Sequence, residues 1–118
     1  MWKPRWWRQA KGSVARAPRV KVELPLHFRQ TDGFGWHMGR TQNVSRTGVL
    51  FESERAVEVG KTVEMFFAPP AEVWGGTPGT IYGRGKIVRT SPPISSTRQP
   101  TAAAKILNYY PGRTPQDW

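Results

Sequence analysis

A short polar motif near the middle of the chain has the residue types of a binding site. A serine at Ser45 and a glycine at Gly48 follow Asn43, directly before the apolar residues Val49 and Leu50. Asn43 and Ser45 are two residues apart, so an extended backbone directs both polar side chains to the same face. Gly48 permits a sharp turn or the close approach of a ligand to the backbone. The same residue types also suit an ordinary turn, so both interpretations are open at this point.

Two arginines, Arg16 and Arg19, precede the first strong strand pattern and supply cations to this candidate site. An arginine can bind a guanine edge or a phosphate through paired N–H groups, and its plane can stack on a base. In a flat strand, residues three apart point to opposite faces, which would separate the two arginines. Pro18 between them favours polyproline II geometry, whose three-residue turn returns both side chains to one side. The spacing allows either arrangement.

The sequence lacks the residue patterns of most enzymes. The chain has no cysteine, which excludes disulfides, thiolate zinc sites and cysteine nucleophiles. Its two histidines, His27 and His37, have no partners at metal-ligand spacing, and neither a nucleophile elbow nor a Walker loop occurs. We therefore expect no catalytic residue, no metal site and no cofactor.

Positive charge dominates the composition and is concentrated at the beginning of the chain. The 118 residues include 18 Lys and Arg against 8 Asp and Glu, a net charge of +10. Residues 1–29 contain eight of these cations and one acid, a net charge of +7. Such a balance favours an anionic partner, which could be nucleic acid, an anionic membrane surface or a phosphorylated small ligand.

Residues 1–15 show no apolar periodicity that would place them in a core. Three tryptophans are interleaved there with three cations: Trp2, Lys3, Arg5, Trp6, Trp7 and Arg8. This composition suits a membrane–water interface or stacking on single-stranded nucleic acid, and it also suits a flexible arm or a lid over a ligand. We predict a flexible basic N-terminal tail, with nucleic acid or membrane contact as its less favoured role.

Apolar periodicity predicts β-structure for the rest of the chain. Apolar and polar residues alternate over residues 20–28, the pattern of a half-buried strand. Further strand patterns cover residues 36–44, 62–68, 80–89 and 102–110, and one begins at Val49. The pattern predicts an all-β fold, a small six-stranded antiparallel β-barrel, with helices at residues 52–59 or 101–107 as alternatives.

The length suits one domain, which we place at residues 16–110, between the tail and a polar end at residues 111–118. No apolar run approaches the ~18–20 residues that a membrane span needs. No hydrophobic segment follows the first residues to form a signal peptide. We therefore expect a cytoplasmic protein.

The order of these features resembles the PilZ domain family. An arginine motif before the first strand, followed by Asn43, Ser45 and Gly48 leading into an apolar strand, is similar to the two motifs of that family. Residues 83–89 are similar to its penultimate barrel strand. The resemblance implies a six-stranded antiparallel β-barrel that binds cyclic di-GMP, a bacterial second messenger. It also implies a receptor or adaptor that passes the signal to a protein partner without catalysis.

The resemblance also implies roles for individual residues. Arg16 and Arg19 would bind the guanines and phosphates of the ligand against Asn43, Ser45 and Gly48. The amide oxygen of Asn43 can accept from guanine N–H groups, and the Ser45 hydroxyl can donate to the base or accept from it. Two further arginines are candidates for phosphate contacts or for solvated cations: Arg40 and Arg46.

The arginine motif departs from the family pattern, Arg-x-x-x-Arg. When Arg19 is aligned on the second arginine, the first position is Ala15, and Arg16 comes one residue later. Two alternatives to a receptor follow: a PilZ-like protein-interaction adaptor that binds no nucleotide, and a small basic β-barrel that binds single-stranded nucleic acid. Trp36 and Trp74 are candidates either for stacking surfaces or for packing.

Overall fold

Strands account for most of the described part of the chain, as the sequence predicts. The computed structural model describes residues 19–33, 35–75, 79–96 and 98–111. It contains the strands β1 (Val20–Lys21), β2 (Pro25–Gln30), β3 (His37–Val44), β4 (Gly48–Ser53), β5 (Thr62–Phe67), β6 (Ile81–Ser91) and β7 (Thr101–Pro111), and one helical turn, α1 (Ala71–Trp74). The predicted tail at residues 1–15, Arg16 and most of the polar end lie outside the described residues. The domain boundaries therefore stay predictions.

The seven strand segments close into a six-stranded antiparallel barrel. Their order is β1-β3-β2-β5-β6-β7-β4, and β3 also pairs with β4, which joins the two ends of the sheet. Both β1 and β2 pair with β3 on the side away from β4, so they occupy consecutive parts of one strand position. Closure leaves few unpaired backbone edges, and it confirms the predicted β-barrel.

Apolar side chains from every long strand fill the barrel interior. In β2, β4 and β5 buried residues alternate with more exposed ones, so one face of each strand points inward. The core comprises Leu26, Phe28, Val44, Val49, Phe51, Val63, Met65, Phe67, Val73, Ile81, Ile87, Ala102 and Ala104. Burial of each large member stabilises the fold by about 1.5–3 kcal/mol relative to exposure, which makes this interior the main source of stability.

The strand predicted at residues 20–28 is interrupted. Between β1 and β2 the side chain of Thr41 replaces regular ladder contacts: its Oγ1 accepts from the Leu24 N–H at 2.8 Å and donates to the Val22 carbonyl at 2.6 Å. The Leu24 carbonyl also accepts from the Thr41 N–H at 2.9 Å. The hydroxyl thus satisfies backbone groups that the interruption would leave unpaired.

Both helical alternatives from the sequence are wrong. Residues 52–59 begin inside β4 and continue as turns, and residues 101–107 belong to β7. The alanines of β7 reflect close packing and not helix propensity, because Ala102 and Ala104 are 1% and 2% exposed and belong to the barrel core. A Cβ on Gly85 of β6 would lie 3.0 Å from the Lys105 carbonyl oxygen. The helical turn α1 was not predicted, and it ends at Gly75 in the left-handed region with φ of 76°.

No helix in the described part of the chain has the length and apolar character required to cross a membrane.

Candidate functional site

The register of β1 on β3 brings a cation opposite the motif asparagine. Val20 pairs with Val44, and Lys21 pairs with Asn43. Directly paired residues of an antiparallel ladder point to the same face. Val44 is fully buried and faces the interior, so its neighbour Asn43 and the paired Lys21 lie on the outer face of the barrel. Lys21 was not among the predicted site residues, although its place on the polar side of the alternating segment indicates an outward side chain.

Arg19 extends the same side of this ladder. It is exposed and directly precedes β1, and the antiparallel register places it next to Ser45, which directly follows β3. Arg19 and Lys21 are two residues apart, so an extended chain directs both cations to the outer face. Two cations thus flank the polar residues of the motif on one surface. Arg16, the other arginine of the predicted pair, lies outside the described residues.

A β-bulge in β3 determines which residues accompany Asn43. The ladder between β3 and β4 shifts between Thr41 and Asn43, so Gln42 is an extra residue on the β3 side. Thr41 and Val44 are fully buried, which leaves both intervening side chains on the outer side. Gln42 donates through Nε2 to Glu52 Oε2 at 3.0 Å. The bulge therefore widens the polar surface of the site by one amide, a feature that the linear motif does not indicate.

Ser45 forms the turn that joins β3 to β4. Its Oγ accepts from the Thr47 N–H at 3.2 Å and from the Gly48 N–H at 3.1 Å, and its own N–H donates to the Gly48 carbonyl at 2.9 Å. Ser45 is only 6% exposed. Two N–H groups occupy the acceptor positions of the hydroxyl, and the hydroxyl itself donates to the Gly48 carbonyl at 3.3 Å, so all its hydrogen bonds lie within the turn. A contact between Ser45 and a ligand stays a prediction.

Gly48 allows β4 to approach β7 closely. A Cβ at this position would lie 3.2 Å from the Ala104 carbonyl oxygen, which is tighter than an ordinary contact. Gly48 pairs with Lys105 in the ladder between these strands. The glycine of the motif therefore has a packing role within the barrel, and its predicted role beneath a ligand is untested.

Arg46, at the outside of the turn, lies against an aromatic pair. Its guanidinium carbon is 4.9 Å from the centroid of the Trp74 ring, in cation–π geometry. The Trp74 ring meets Tyr109 edge to face at 4.5 Å, and the Tyr109 hydroxyl donates to the Arg46 carbonyl. Burial raises the pKa of Tyr109, so this hydroxyl stays a donor at ordinary pH. Trp74 therefore packs against the motif turn, which decides between its two predicted roles.

Contacts from β7 hold the motif turn in place. The Ile106 N–H donates to the Thr47 carbonyl at 2.9 Å, next to the Tyr109 bond on the Arg46 carbonyl. The turn is thus attached at two consecutive carbonyls to a strand that follows it by about sixty residues in sequence. The spacing of residues within the motif carries no signal for this support.

Arg40 is exposed on the outer face of β3, between Pro25 of β2 and Glu52 of β4. Glu52 accepts from Gln42 and forms an ion pair with Arg98. Within the described part of the chain, no ion pair holds Arg40, Arg19 or Lys21. These three cations are available to phosphate oxygens from the same outer surface.

A separate cavity of about 320 Å³ opens at the other end of β3. Its lining consists of Phe28, Gln30, Gly33, His37, Arg55, Ala56 and Val57. β3 runs from His37 at this cavity to Val44 at the motif, so the strand length separates the two places. Among the residues that the structure describes, no three His, Asp or Glu side chains form a group that could hold a metal ion.

Comparison with known proteins supports the barrel. Among solved structures, the fold is similar to that of the Bacillus subtilis inhibitor of motility (MotI/DgrA), with a TM-score of 0.62 and 12% sequence identity. The match covers 79% of this chain and 42% of that chain, so this protein spans less than half of that structure. None of the curated proteins compared with the sequence matches it. The sequence profile of the PilZ domain matches residues 13–93, more than half of the chain, and this protein therefore belongs to the PilZ domain family.

Proposed function

We propose that this protein is a receptor for cyclic di-GMP that acts as an adaptor in the cytoplasm and has no catalytic activity. Family membership supports a receptor or adaptor of this type. The observation that carries the proposal is the register of β1 on β3, in which Lys21 pairs with Asn43 and Arg19 lies beside Ser45. Cations and amide groups then share one outer surface, which suits a ligand with two guanines and two phosphates.

Each side chain of this surface has a chemical role in the proposed complex. Arg19 and Arg16 bind the O6 and N7 acceptors of a guanine or stack on its face, and Asn43 accepts from the guanine N–H groups. Lys21 and Arg40 bind phosphate oxygens as point charges or through paired N–H groups. To donate to the ligand, the Ser45 hydroxyl turns away from the Gly48 carbonyl, and the turn that Ser45 forms fixes the position of Asn43. No step requires a metal ion or a proton transfer.

The proposed signal is the ordering of residues 1–19 on the ligand, followed by contact with a protein partner. Arg19 directly precedes β1, at the junction between the N-terminal segment and the barrel. A ligand bound to Arg19 therefore constrains the N-terminal segment while it contacts the barrel. The MotI/DgrA protein is described as an inhibitor of motility, and by analogy we propose a protein target for this chain as well.

Isothermal titration with cyclic di-GMP tests the receptor directly. A useful receptor binds in the micromolar range or tighter, about −8 kcal/mol. We expect Arg19→Ala to weaken binding by about 2 kcal/mol, roughly thirtyfold, because a charge-assisted contact is lost. Arg55→Ala is the matched control, since Arg55 is an exposed arginine that lines the separate cavity, at the other end of β3 from Asn43. Absence of heat at ~100 μM ligand would end the receptor proposal.

A nucleotide-free adaptor is the second candidate function. Ser45 and Gly48 each have a structural role in the turn and in the packing of β4 on β7, and these roles need no ligand. The same titration separates the two candidates. Binding of single-stranded nucleic acid would instead show an affinity that falls steeply with salt and is lost when residues 1–15 are removed.

A further inference from the structure

Four aromatic side chains form a continuous row on the outer face of the barrel. His27 of β2 pairs with Phe66 of β5, Phe66 pairs with Tyr82 of β6, and Tyr82 pairs with Tyr110 of β7. The residues next to them along β2, β5 and β6 are buried in the core, so these side chains lie on the outer side. Their exposure differs, because Tyr82 is 7% exposed and Tyr110 is 37% exposed. We call His27, Phe66, Tyr82 and Tyr110 the outer aromatic row. It crosses four strands, which is a width of roughly 14 Å at ~4.8 Å per strand spacing.

The rings of the outer aromatic row are ordered with respect to one another. His27 and Phe66 are stacked, with centroids 4.6 Å apart and ring planes 5° from parallel. Tyr82 and Tyr110 are stacked at 5.4 Å and 22°. Trp36 meets Phe66 edge to face at 5.3 Å. A preordered aromatic surface loses little side-chain entropy when a partner binds.

A polar row next to the aromatic one fixes its orientation. Arg29 forms an ion pair with Glu64, and the Tyr82 hydroxyl donates to the other oxygen of the same carboxylate at 2.9 Å. The Arg29 guanidinium carbon lies 4.6 Å from the centroid of the Trp36 ring. Aromatic residues combined with arginine are the composition of energetic centres in protein interfaces. The proposed nucleotide site does not include any of these residues.

The N-terminal segment has the complementary chemistry. Residues 1–18 precede Arg19 and include Trp2, Trp6 and Trp7 together with five cations. Tryptophan rings pack on aromatic rows by edge-to-face or offset stacking, and arginine and lysine bind the faces of tyrosine and phenylalanine. In an extended chain Trp2 and Trp6 are four residues apart, so they share one side at a separation of about 13 Å. This separation matches the width of the outer aromatic row.

The segment also has the length to reach the row. Arg19 is eight residues from His27 along the same strand position, a distance of about 26 Å in extended chain. Eighteen residues span up to about 60 Å. A tether of this kind raises the effective concentration of the segment to the order of millimolar, so even a weak contact is populated.

We propose that the outer aromatic row is the docking surface for the N-terminal segment of the same chain, with Trp2 and Trp6 laid over Phe66 and Tyr110, on either side of the largely buried Tyr82. Docking needs no nucleotide, so its test does not depend on ligand binding. In the proposed receptor, the ligand then transfers the segment from the row to the nucleotide site. The outer aromatic row recognises the N-terminal segment by packing against its tryptophan rings. The cations of the segment add contacts to the faces of the rings in the row.

Spin labelling of the full chain tests the docking, and the absence of native cysteine makes the label specific. A nitroxide is attached at Lys3→Cys in 15N-labelled protein without nucleotide. We expect the strongest paramagnetic broadening at the amides of Phe66, Tyr82 and Tyr110, and weak broadening at Leu50 on the outer face of β4. Broadening that is uniformly weak, or strongest outside β5, β6 and β7, would refute the docking.

Two variants and a mixing control complete the experiment. Trp6→Ser in the segment and Tyr110→Ser in the row should each abolish the selective broadening, whereas Val88→Ser should retain it. Val88 is a matched control because it is an exposed apolar residue of β6 outside the row, 50% exposed against 37% for Tyr110. Amide spectra confirm the fold of each variant. A mixture of spin-labelled unenriched chains with unlabelled 15N chains should show no broadening, and broadening there would assign the row to a second copy instead.

Discussion

At the scale of single residues, Ser45 stabilises the turn beside the candidate binding surface. Its hydroxyl oxygen accepts two backbone N–H groups within the turn that joins β3 to β4, and the side chain is almost fully buried. Asn43, by contrast, is half-buried on the outer face and pairs with Lys21. The two polar residues of one motif therefore differ in function: Ser45 shapes the turn, and Asn43 presents its amide to the surface.

Replacement of Ser45 tests its role in the turn. Ser45→Ala leaves the Thr47 and Gly48 N–H groups without their acceptor, and we expect a loss of about 1–3 kcal/mol in the free energy of unfolding. Urea denaturation measures the change. Ser96→Ala serves as the control, because Ser96 is exposed and far from the turn in sequence. Equal stabilities of the two variants would contradict the structural role of the hydroxyl.

Tyr82 provides a second prediction at the residue scale, through its protonation. Burial and the hydrogen bond to Glu64 raise the pKa of Tyr82 from 10.0 to about 12. Because the folded-state pKa is the higher one, this contribution to stability is complete below pH 10 and is lost as the pH rises toward 12.

The free energy of unfolding should therefore fall between pH 10 and pH 12, and the fall should be shallower in Tyr82→Phe. Denaturant unfolding at several pH values in this range gives both slopes. Identical slopes for the two proteins would show that Tyr82 does not retain its proton in the folded state.

At the scale of elements, the irregular parts of β1, β2 and β3 create the candidate site. The bulge at Gln42 places two polar residues side by side on the outer face, and the interruption between β1 and β2 is filled by the Thr41 hydroxyl. A regular pair of strands would alternate through this region and direct one of these polar residues inward.

The hydroxyl of Thr41 should be essential for the interrupted strand. Thr41→Val keeps the shape but removes the acceptor of the Leu24 N–H and the donor to the Val22 carbonyl, at an expected cost of about 1–3 kcal/mol. Thr90→Val is the control, since Thr90 is exposed on β6. We expect chemical denaturation to show a clear loss for Thr41→Val alone, and a similar midpoint for both variants would contradict the assignment.

The strands were predictable from sequence because their signal is local. Alternating apolar residues in β2 and β5 directly record which side faces the core. The interruption at residues 22–24 was not predictable, because it depends on Thr41, which reaches Leu24 from 17 residues further along the chain. Lys21 was missed for the same reason: its contact with Asn43 is defined by the register and not by spacing within a motif.

For the candidate site, the sequence indicated which residue types are present but not the structural role of each residue. Asn43, Ser45 and Gly48 were identified together as ligand contacts, whereas the structure also gives Ser45 a role in the turn and Gly48 a role in strand packing. The support from Trp74 and Tyr109 comes from segments that are adjacent only in the folded barrel. Their contact with the motif turn therefore could not be predicted from the linear sequence.

At the scale of the whole molecule, closure of the barrel depends on close approach between β3 and β4. A Cβ added to Gly39 would lie 2.6 Å from the Glu52 carbonyl oxygen and 3.2 Å from Phe51 Cδ2. Since this ladder joins the two ends of the sheet, any displacement there affects every strand. The smallest side chain is required at the point where the barrel closes.

Gly39→Ala should therefore destabilise the whole domain. Overpacking of this kind costs about 1–3 kcal/mol, and the midpoint of thermal unfolding should fall accordingly. Gly33→Ala is the matched control, because the nearest atom to its added Cβ is 3.4 Å away, an ordinary contact. Unchanged thermal unfolding of Gly39→Ala would mean that the β3–β4 ladder can yield without loss of stability.

β1 is only two residues long, so it should unfold locally before the rest of the barrel. β2 pairs with β3 through residues 25–28 and closes the barrel without any contribution from Val20 or Lys21. Two ladder pairs, the bond from the Val22 N–H to the Gln42 carbonyl at 3.2 Å and the bonds of Thr41 hold this segment on β3. We therefore expect β1 to open more easily than β2, which uncovers Val20 at the edge of the core and leaves the buried cluster in place. Arg19 directly precedes β1 and Lys21 belongs to it, so a ligand bound there would also stabilise β1 against fraying.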